Sequence, residues 1–467
     1  MGKLFGTDGV RGVAGKDLTC ELALQIGRAT AAELTSLDGH RPRILIGKDT
    51  RVSGDMLECT LAAGLCSVGA DVDLLGVIPT PGVAYLVRKY GADAGIVISA
   101  SHNPMEFNGI KIFAGTGYKL PDEVENEIEA YIDNQCAGLK LATGDDVGRV
   151  YRRDDGLQDY VDHLYESIHG DLSGLNICID CANGASAAVA RQLFPRLGAK
   201  CTFIGVEPDG KNINAGVGST HLDNLEKAVV EGGFDCGIAF DGDADRCLAC
   251  DEKGQEIDGD KVIALLAMNM KEKGCLDGNT AVVTVMSNLG FIKFMESQGI
   301  RTEKTAVGDR YVLENMRENG YAIGGEQSGH VILLHHTTTM LRAANAIMSV
   351  YPQLNASLLI AGVIVHDLAK IDEMDADTLG LVSDYSVDGK LLGHIVRGVV
   401  NIQLAAEKTK ANPGKALLLQ HMVLSHHGIP EYGSPLAPKF PEAEVLNTID
   451  TLDARLYEMD EALSRAI

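Results

Sequence analysis

Four stretches hold residues whose types and spacing can do chemistry. In GIVISASHNPMEFNGIKIF, residues 95–113, the β-branched run Ile96 to Ile98 gives way to Ser99-Ala100-Ser101-His102-Asn103-Pro104, and Lys111 sits in the apolar run that follows. A serine hydroxyl held on a rigid turn with donors nearby can accept and return a phosphoryl group, the alternative being an ordinary strand–turn–strand. In GIAFDGDADR, Asp241, Asp243 and Asp245 alternate directly after an apolar strand. Short carboxylates so spaced in a tight loop can turn onto one centre. Such a set suits Mg²⁺ and is costly without a cation, although solvated acidic turns are common. In Gly325-Glu326-Gln327-Ser328-Gly329-His330, Glu326 and Ser328 can accept from and donate to vicinal hydroxyls or an amino group, unless this is only a polar turn. The fourth stretch is rich in histidine. His335-His336 precede a helical pattern, His366-Asp367 end an apolar run, His394 follows a glycine, and His426-His427 end another helix before Asp450. Imidazole and carboxylate on neighbouring helix ends can bind one or two divalent ions and leave positions open for water.

The elements that must position these groups follow from periodicity. Residues 1–150 alternate strands and helices in a doubly wound α/β pattern, with RILIGKD, DVDLLGVIPTP and ADAGIVIS as strands. Residues 151–255 repeat the theme through LNICIDCANG and the aspartate loop. Residues 256–334 repeat it again through TAVVTVMSN, the loop Val307-Gly308-Asp309-Arg310, and AIGGEQSGHVILL. From 335 to 467 helical periodicity replaces the alternation, which predicts an all-helical module.

Composition narrows the function classes. The chain has 467 residues, 45% of them hydrophobic, and a net charge of −24 that argues against a nucleic-acid surface in the mean. No apolar run approaches the ~18 residues of a membrane span, and no signal-like start is present, so the expected protein is soluble and cytoplasmic, with no membrane partner. All 11 cysteines lie between Cys20 and Cys275. Cys178–Cys181 and Cys247–Cys250 sit in strand-like runs where residues three apart face opposite ways, so buried free thiols are expected rather than zinc. The oligomeric state is left open.

SASHNP followed by NGIK resembles the phosphoserine loop of the phosphohexomutase family, and FGTDGVRG at 5–12 resembles the opening of its phosphoglucosamine mutase branch. The similarity runs from residue 1 to about 334. It implies three mixed α/β domains, 1–150, 151–255 and 256–334, the third truncated. It also implies that Ser101 carries the phosphoryl group and joins Asp241, Asp243 and Asp245 around Mg²⁺. Arg246 and His102 would stand beside the phosphate, with Lys111 and Arg11 as candidates for acid–base assistance or charge stabilisation. Glu326, Ser328, His330, Gly308 and Asp309 would hold the sugar. The implied reaction interconverts glucosamine 6-phosphate and glucosamine 1-phosphate through a bisphosphate, with a phosphorylated hexosamine as partner. The family's fourth domain, with its R-x-S-G-T-E-P-like phosphate loop, has no counterpart, so impaired turnover is expected, and a non-enzymatic sugar-phosphate-binding role is the rival.

HHTTTMLR, AGVIVHDLAK, LLGHI, LSHHGIPEYGSP and EAEVLNTIDTLDA resemble the HD phosphohydrolase superfamily, most closely the HD domain of a bacterial 3′–5′ exoribonuclease family. This implies a metal-dependent phosphohydrolase over 335–467. Its ligands would be His366, Asp367, His394, His426 and Asp450, with His335 or His336, holding Mn²⁺ or another divalent transition metal. Its substrate would be a phosphodiester or an RNA 3′ end. The segment carries 10 Lys and Arg against 16 Asp and Glu, a net of −6, so phosphate-backbone affinity should be poor.

Overall fold

The computed structural model describes residues 4–334 except 7–8, 39 and 169–170, and, beyond them, residues 344, 347–348, 350–351, 353–366, 374–376, 382–385, 387–409, 411–428 and 434–452. Three sheets follow one another along the chain. The first contains β1 (Val10–Val13), β2 (Arg43–Lys48), β3 (Asp71–Val77), β4 (Ala94–Ile98), β5 (Phe107–Ala114) and β6 (Val150–Arg152), in the order β1-β5-β4-β2-β3-β6. Strands β4, β2, β3 and β6 run parallel, while β5 is antiparallel to both β4 and β1. The doubly wound pattern is therefore present with an antiparallel flank, and that flank sets Lys111 opposite Val97 near the carboxyl end of β4.

Strand periodicity explains the layering. Ile44, Ile46, Ile96 and Ile98 point to one face, where α1 (Cys20–Asp38), α2 (Ser53–Ser67) and α4 (Asp122–Asp133) pack. Leu45 and Val97 point to the other, covered by α3 (Thr80–Tyr90) and α5 (Gly156–Ser167). A sheet buried on both faces reads as a continuous apolar run in sequence, as AGIVI does: every residue of β4 is buried.

The second sheet holds β7 (Asn176–Asp180), β8 (Lys200–Ile204), β9 (Cys236–Phe240), β10 (Cys247–Asp251) and β11 (Glu256–Ile257), in the order β11-β10-β9-β7-β8, with α6 (Ser186–Arg196) and α7 (Asp223–Gly232) packed on it. Cys178 and Cys181 are buried in separate clusters on its two sides, as their spacing predicts. The third sheet contains β12 (Thr280–Thr284), β13 (Arg301–Thr305), β14 (Ile323–Gly325) and β15 (Val331–Leu333), in the order β13-β12-β14-β15, flanked by α8 (Gly259–Glu272), α9 (Leu289–Ser297) and α10 (Asp309–Asn319).

The remainder is helical, with helices over Ala356–Val365, Val387–Thr409, Pro413–Ser425 and 441–452. To these the structure adds a short antiparallel ribbon, Met374–Ala376 with Val382–Tyr385, that helical periodicity did not announce. Leu359, Val363, Met422, Ala443, Leu446 and Ile449 form the core of this part. Among the described residues no helix is long and apolar enough to cross a membrane.

Candidate active site

Ser101 lies just past β4 with φ at 53°, in the left-handed region that a non-glycine residue adopts only when its surroundings hold it there. The holding groups come from the neighbouring strand and from the second sheet's unit. The Ser101 amide donates to Ser99 Oγ at 2.9 Å, and the Ser99 hydroxyl donates to Asp49 at 2.7 Å. Asp49, at the end of β2, is fully buried and accepts from Arg51 Nε at 2.8 Å. The two terminal nitrogens of Arg51 then donate to the carbonyls of Ser101, Asn103, Pro104 and Phe107. Asn214, more than a hundred residues on, donates through Nδ2 to the carbonyls of Ser101 (2.9 Å) and Asn103 (3.2 Å). None of these holding residues was singled out from sequence, because nothing local marks Arg51 or Asn214 as facing residue 101.

The aspartate loop, leaving β9, comes against this turn. A Cβ on Gly242 would stand 2.6 Å from the Ser101 carbonyl oxygen, so only glycine permits the approach. Ser101 Oγ donates to Asp241 Oδ2 at 2.5 Å. Lys111 Nζ, from β5, reaches Asp243 at 2.8 Å and Asp245 at 3.0 Å, and the Thr80 hydroxyl, at the start of α3, donates to Asp243 at 2.6 Å. Asp241, Asp243 and Asp245 each offer a carboxylate oxygen within 4.8 Å of the others. Buried oxygens of Asp243 and Asp245 accept no hydrogen bond. Converging, under-satisfied hard oxygens are what a small divalent cation fits. Glu252 stands twelfth from Asp241, as in an EF-hand loop, but Cys247–Asp251 between them is strand and Glu252 is exposed.

Electrostatics separates the three acids. Burial, then the like charges of Asp245 and Asp243, pushes the Asp241 carboxyl well above the ordinary range. Burial acts the same way on Asp243, but the Lys111 ammonium at contact distance outweighs it and holds Asp243 below that range. Lys111 is itself buried, which disfavours its charge, yet Asp243 and Asp245 keep it well above the ordinary lysine value. Burial and the adjacent Arg246 and Arg11 cations hold His102 below its usual value, which keeps the imidazole neutral. Arg246 NH1 lies 2.9 Å from His102 Nδ1, and a guanidinium can only donate, so Nδ1 is the acceptor and the proton belongs on Nε2. Arg11, on β1, lies opposite Gly109 of β5.

The sugar-recognition candidates form a second group. Glu326 Oε1 accepts from the Gly308 amide at 3.0 Å, and Asp309 holds Lys119 at 2.8 Å with His330 Nε2 at 3.7 Å. Lys119 was not anticipated. His330, Asp309 and Lys119 share with Lys111 and Asp245 a cleft of about 740 Å³, whereas Ser328 lies on the exposed surface. Ser101 is 1% exposed and is not among the residues that line this cleft.

In the helical part, His366 caps the helix Ala356–Val365, and its Nε2 lies 3.7 Å from Asp450. His394 follows the kink at Gly393, and His426 follows the helix Pro413–Ser425. His394, His426 and His427 offer ring nitrogens within 4.8 Å of one another, and the His366 ring centre is 5.3 Å from that of His426. His427 thus joins the expected set, while His335, His336 and Asp367 lie outside the described residues.

A left-handed serine turn against an aspartate loop, with a sugar-sized cleft beside them in a chain of three successive α/β units, defines a phosphohexomutase. The phosphoglucomutase/phosphomannomutase α/β/α domains I, II and III match residues 2–137, 158–254 and 258–357, and an HD domain matches 333–455, overlapping the third. The phosphoglucosamine mutase of Acetivibrio thermocellus is 57% identical over 73% of this chain and 76% of its own length. That of Clostridium tetani is 49% identical over 85% and 88%. A phosphoglucomutase/phosphomannomutase family structure from Burkholderia thailandensis superposes with a TM-score of 0.61 at 27% identity, covering 71% of this chain and 72% of that one. The chain belongs to the phosphoglucosamine mutase family: it is a mutase-like isomerase that also carries an HD domain.

Proposed function

We propose that the chain moves a phosphoryl group between Ser101 and a hexosamine phosphate, interconverting glucosamine 6-phosphate and glucosamine 1-phosphate through the bisphosphate. The observation that carries this reading is the contact of Ser101 Oγ with Asp241 inside a cluster of three converging carboxylates. As the Oγ–phosphorus bond forms, the phosphorus bond to the sugar oxygen breaks, and the Oγ proton passes to Asp241 Oδ2, which it already faces. The departing sugar oxygen takes up a proton from solvent, to which Asp241 returns its own, and the reverse transfer returns the phosphoryl group to the other end of the sugar. Mg²⁺ held by Asp241, Asp243 and Asp245 would neutralise phosphoryl charge. Lys111 fits charge stabilisation better than acid–base work, because two carboxylates hold its proton tightly. Arg246, oriented by neutral His102, presents its guanidinium beside the serine. Glu326, Gly308, Asp309 and His330 supply the sugar contacts, with Ser328 at the rim.

Incubating the full chain with glucosamine 1,6-bisphosphate and Mg²⁺, followed by peptide mass spectrometry, should place the label on Ser101 and remove it in Ser101→Ala. Equal labelling of both proteins would refute the assignment.

A second activity is favoured by the clustered imidazoles of His394, His426 and His427 with the His366–Asp450 pair. This set would hold a divalent transition metal such as Mn²⁺ and serve phosphodiester hydrolysis, on a small phosphodiester more readily than on RNA. Mn²⁺-dependent hydrolysis of a chromogenic phosphodiester by the full chain, lost in His394→Ala, tests it.

A further inference from the structure

The cleft beside the catalytic cluster extends between α3 and α10. Thr80, Ala84 and Arg88 of α3 line it, as do Asp309, Leu313 and Arg317 of α10. Fourfold spacing puts each set on one face of its helix. Thr80 and Asp309 mark the reacting end, where Thr80 donates to Asp243 and Asp309 holds Lys119. Both arginines lie eight residues further along, about 12 Å at the helical rise.

The loop that follows β5 seats both. A Cβ on Gly117 would stand 2.8 Å from Arg88 Cδ, so the arginine stem lies directly on that glycine. The Arg317 guanidinium lies over the Tyr118 ring, 4.5 Å from its centre. Consecutive residues therefore seat the Arg88 stem and the Arg317 guanidinium at the same end of one cleft. Other cations lining the cleft are matched: Lys111 by Asp243 and Asp245, Lys119 by Asp309, Arg310 by Glu125 and Glu314. Among the described residues no carboxylate pairs with Arg88 or Arg317. A basic residue in a helix's last turn complements the helix dipole, and that accounts for either arginine alone. It does not account for two helices from different sheets delivering their arginines to adjacent seats, where like charges repel until an anion lies between them. Planar forked donors match a phosphate best.

We infer that Arg88 and Arg317 form a second anion subsite, which takes the non-reacting phosphate of a hexosamine bisphosphate while the other phosphate faces the Ser101 end. The inference rests on the phosphoryl-transfer reading for the identity of its ligand. A hexose phosphorylated at opposite ends spans the cleft, with the long arginine side chains reaching toward it, and the subsite would keep a bisphosphate from leaving between the two transfers.

The test is calorimetric titration of the full chain with glucosamine 1,6-bisphosphate, glucosamine 6-phosphate and inorganic phosphate, in wild type, Arg88→Gln, Arg317→Gln and the double variant. The wild type should prefer the bisphosphate over the monophosphate. Each substitution should cut that preference on the order of tenfold, the size of one lost charge-assisted contact, and the double variant should nearly abolish it. Arg88→Lys with Arg317→Lys should restore part of it. Both arginines are exposed, so the variants should keep the wild-type melting temperature. A double variant that keeps the full preference overturns the inference. Inorganic phosphate binding as tightly as the bisphosphate, and lost equally in the variant, overturns it too, since the arginines would then serve a free anion. If wild-type Ser101 takes no label while the preference still depends on the arginines, the subsite stands and the transfer reading falls.

Discussion

Replacing Lys111 by Met tests the electrostatic account of the site most directly. Methionine keeps the apolar stem, so little cavity is created, and what is lost is the ammonium 2.8 Å from Asp243 and 3.0 Å from Asp245. The lysine side chain is 4% exposed and that of Asp243 1%, so solvent screens neither. Breaking such a pair by removing one partner costs about 3–5 kcal/mol, because the remaining carboxylate is left buried and uncompensated. The pH dependence has a fixed sign. In the wild type Asp243 has its folded pKa below its unfolded value, so its contribution is present above the unfolded value of about 3.9 and is lost as pH falls through the folded one. In the variant the largest opposing charge is gone and only the Thr80 hydrogen bond and the weaker pull of Arg11 remain against burial, so the folded pKa rises above the unfolded value and the ionised acid penalises folding at neutral pH. That penalty fades as pH falls through the raised pKa. The stability gap between the two proteins should therefore be largest at pH 7 and narrow toward pH 4, and Mg²⁺ should narrow it at any pH where the acids are ionised. The chain has no tryptophan, so denaturant unfolding is best followed by circular dichroism. A gap below about 1 kcal/mol at pH 7, or one flat between pH 7 and pH 4, would refute the reasoning.

Arg51→Met should destabilise by about 3–5 kcal/mol, since it strands the buried Asp49 and removes donors from four carbonyls of the serine turn; a loss under about 1 kcal/mol in denaturant unfolding would contradict this. Asn214→Ala should cost less, about 1–2 kcal/mol, yet slow Ser101 labelling, because Arg51 still holds the same two carbonyls while the link to the second unit is lost. Thiol reagent at pH 8 should modify exposed Cys59 and Cys275 quickly and Cys178 and Cys181 slowly, since burial pushes those two thiols up to about 11 and about 12; mass spectrometry of the labelled peptides reads the order. His394→Ala with His427→Ala should lower transition-metal content of the purified chain, measured by plasma emission, without altering Mg²⁺-dependent labelling of Ser101.

The chemistry-bearing loops could be read in the sequence because their signals are local. A β-branched run collapsing into small and polar residues marks a strand end, so Ser101 could be placed on a turn before any contact was known. Alternating aspartates after GIAF place three carboxylates on one curl of backbone whatever surrounds them. The change from strand–helix alternation to helical periodicity is equally local, and the described residues from 344 on are mainly helical apart from one short ribbon. What sequence left undecided was where each charge is directed. The family resemblance sets Lys111 near Ser101, as acid–base catalyst or charge stabiliser, without saying which group it meets. The antiparallel return of β5 beside β4 sends it to Asp243 and Asp245, 132 and 134 residues away. Nothing local marks Arg51, Asn214 or Lys119 for the same reason, and nothing local decides between His426 and His427 as ligands. Their roles come from which strand and helix ends converge, and that convergence is set by sheet order and by the burial of separate apolar faces. Periodicity specifies which face of an element is buried, but the partner that meets it is chosen only when the whole chain packs.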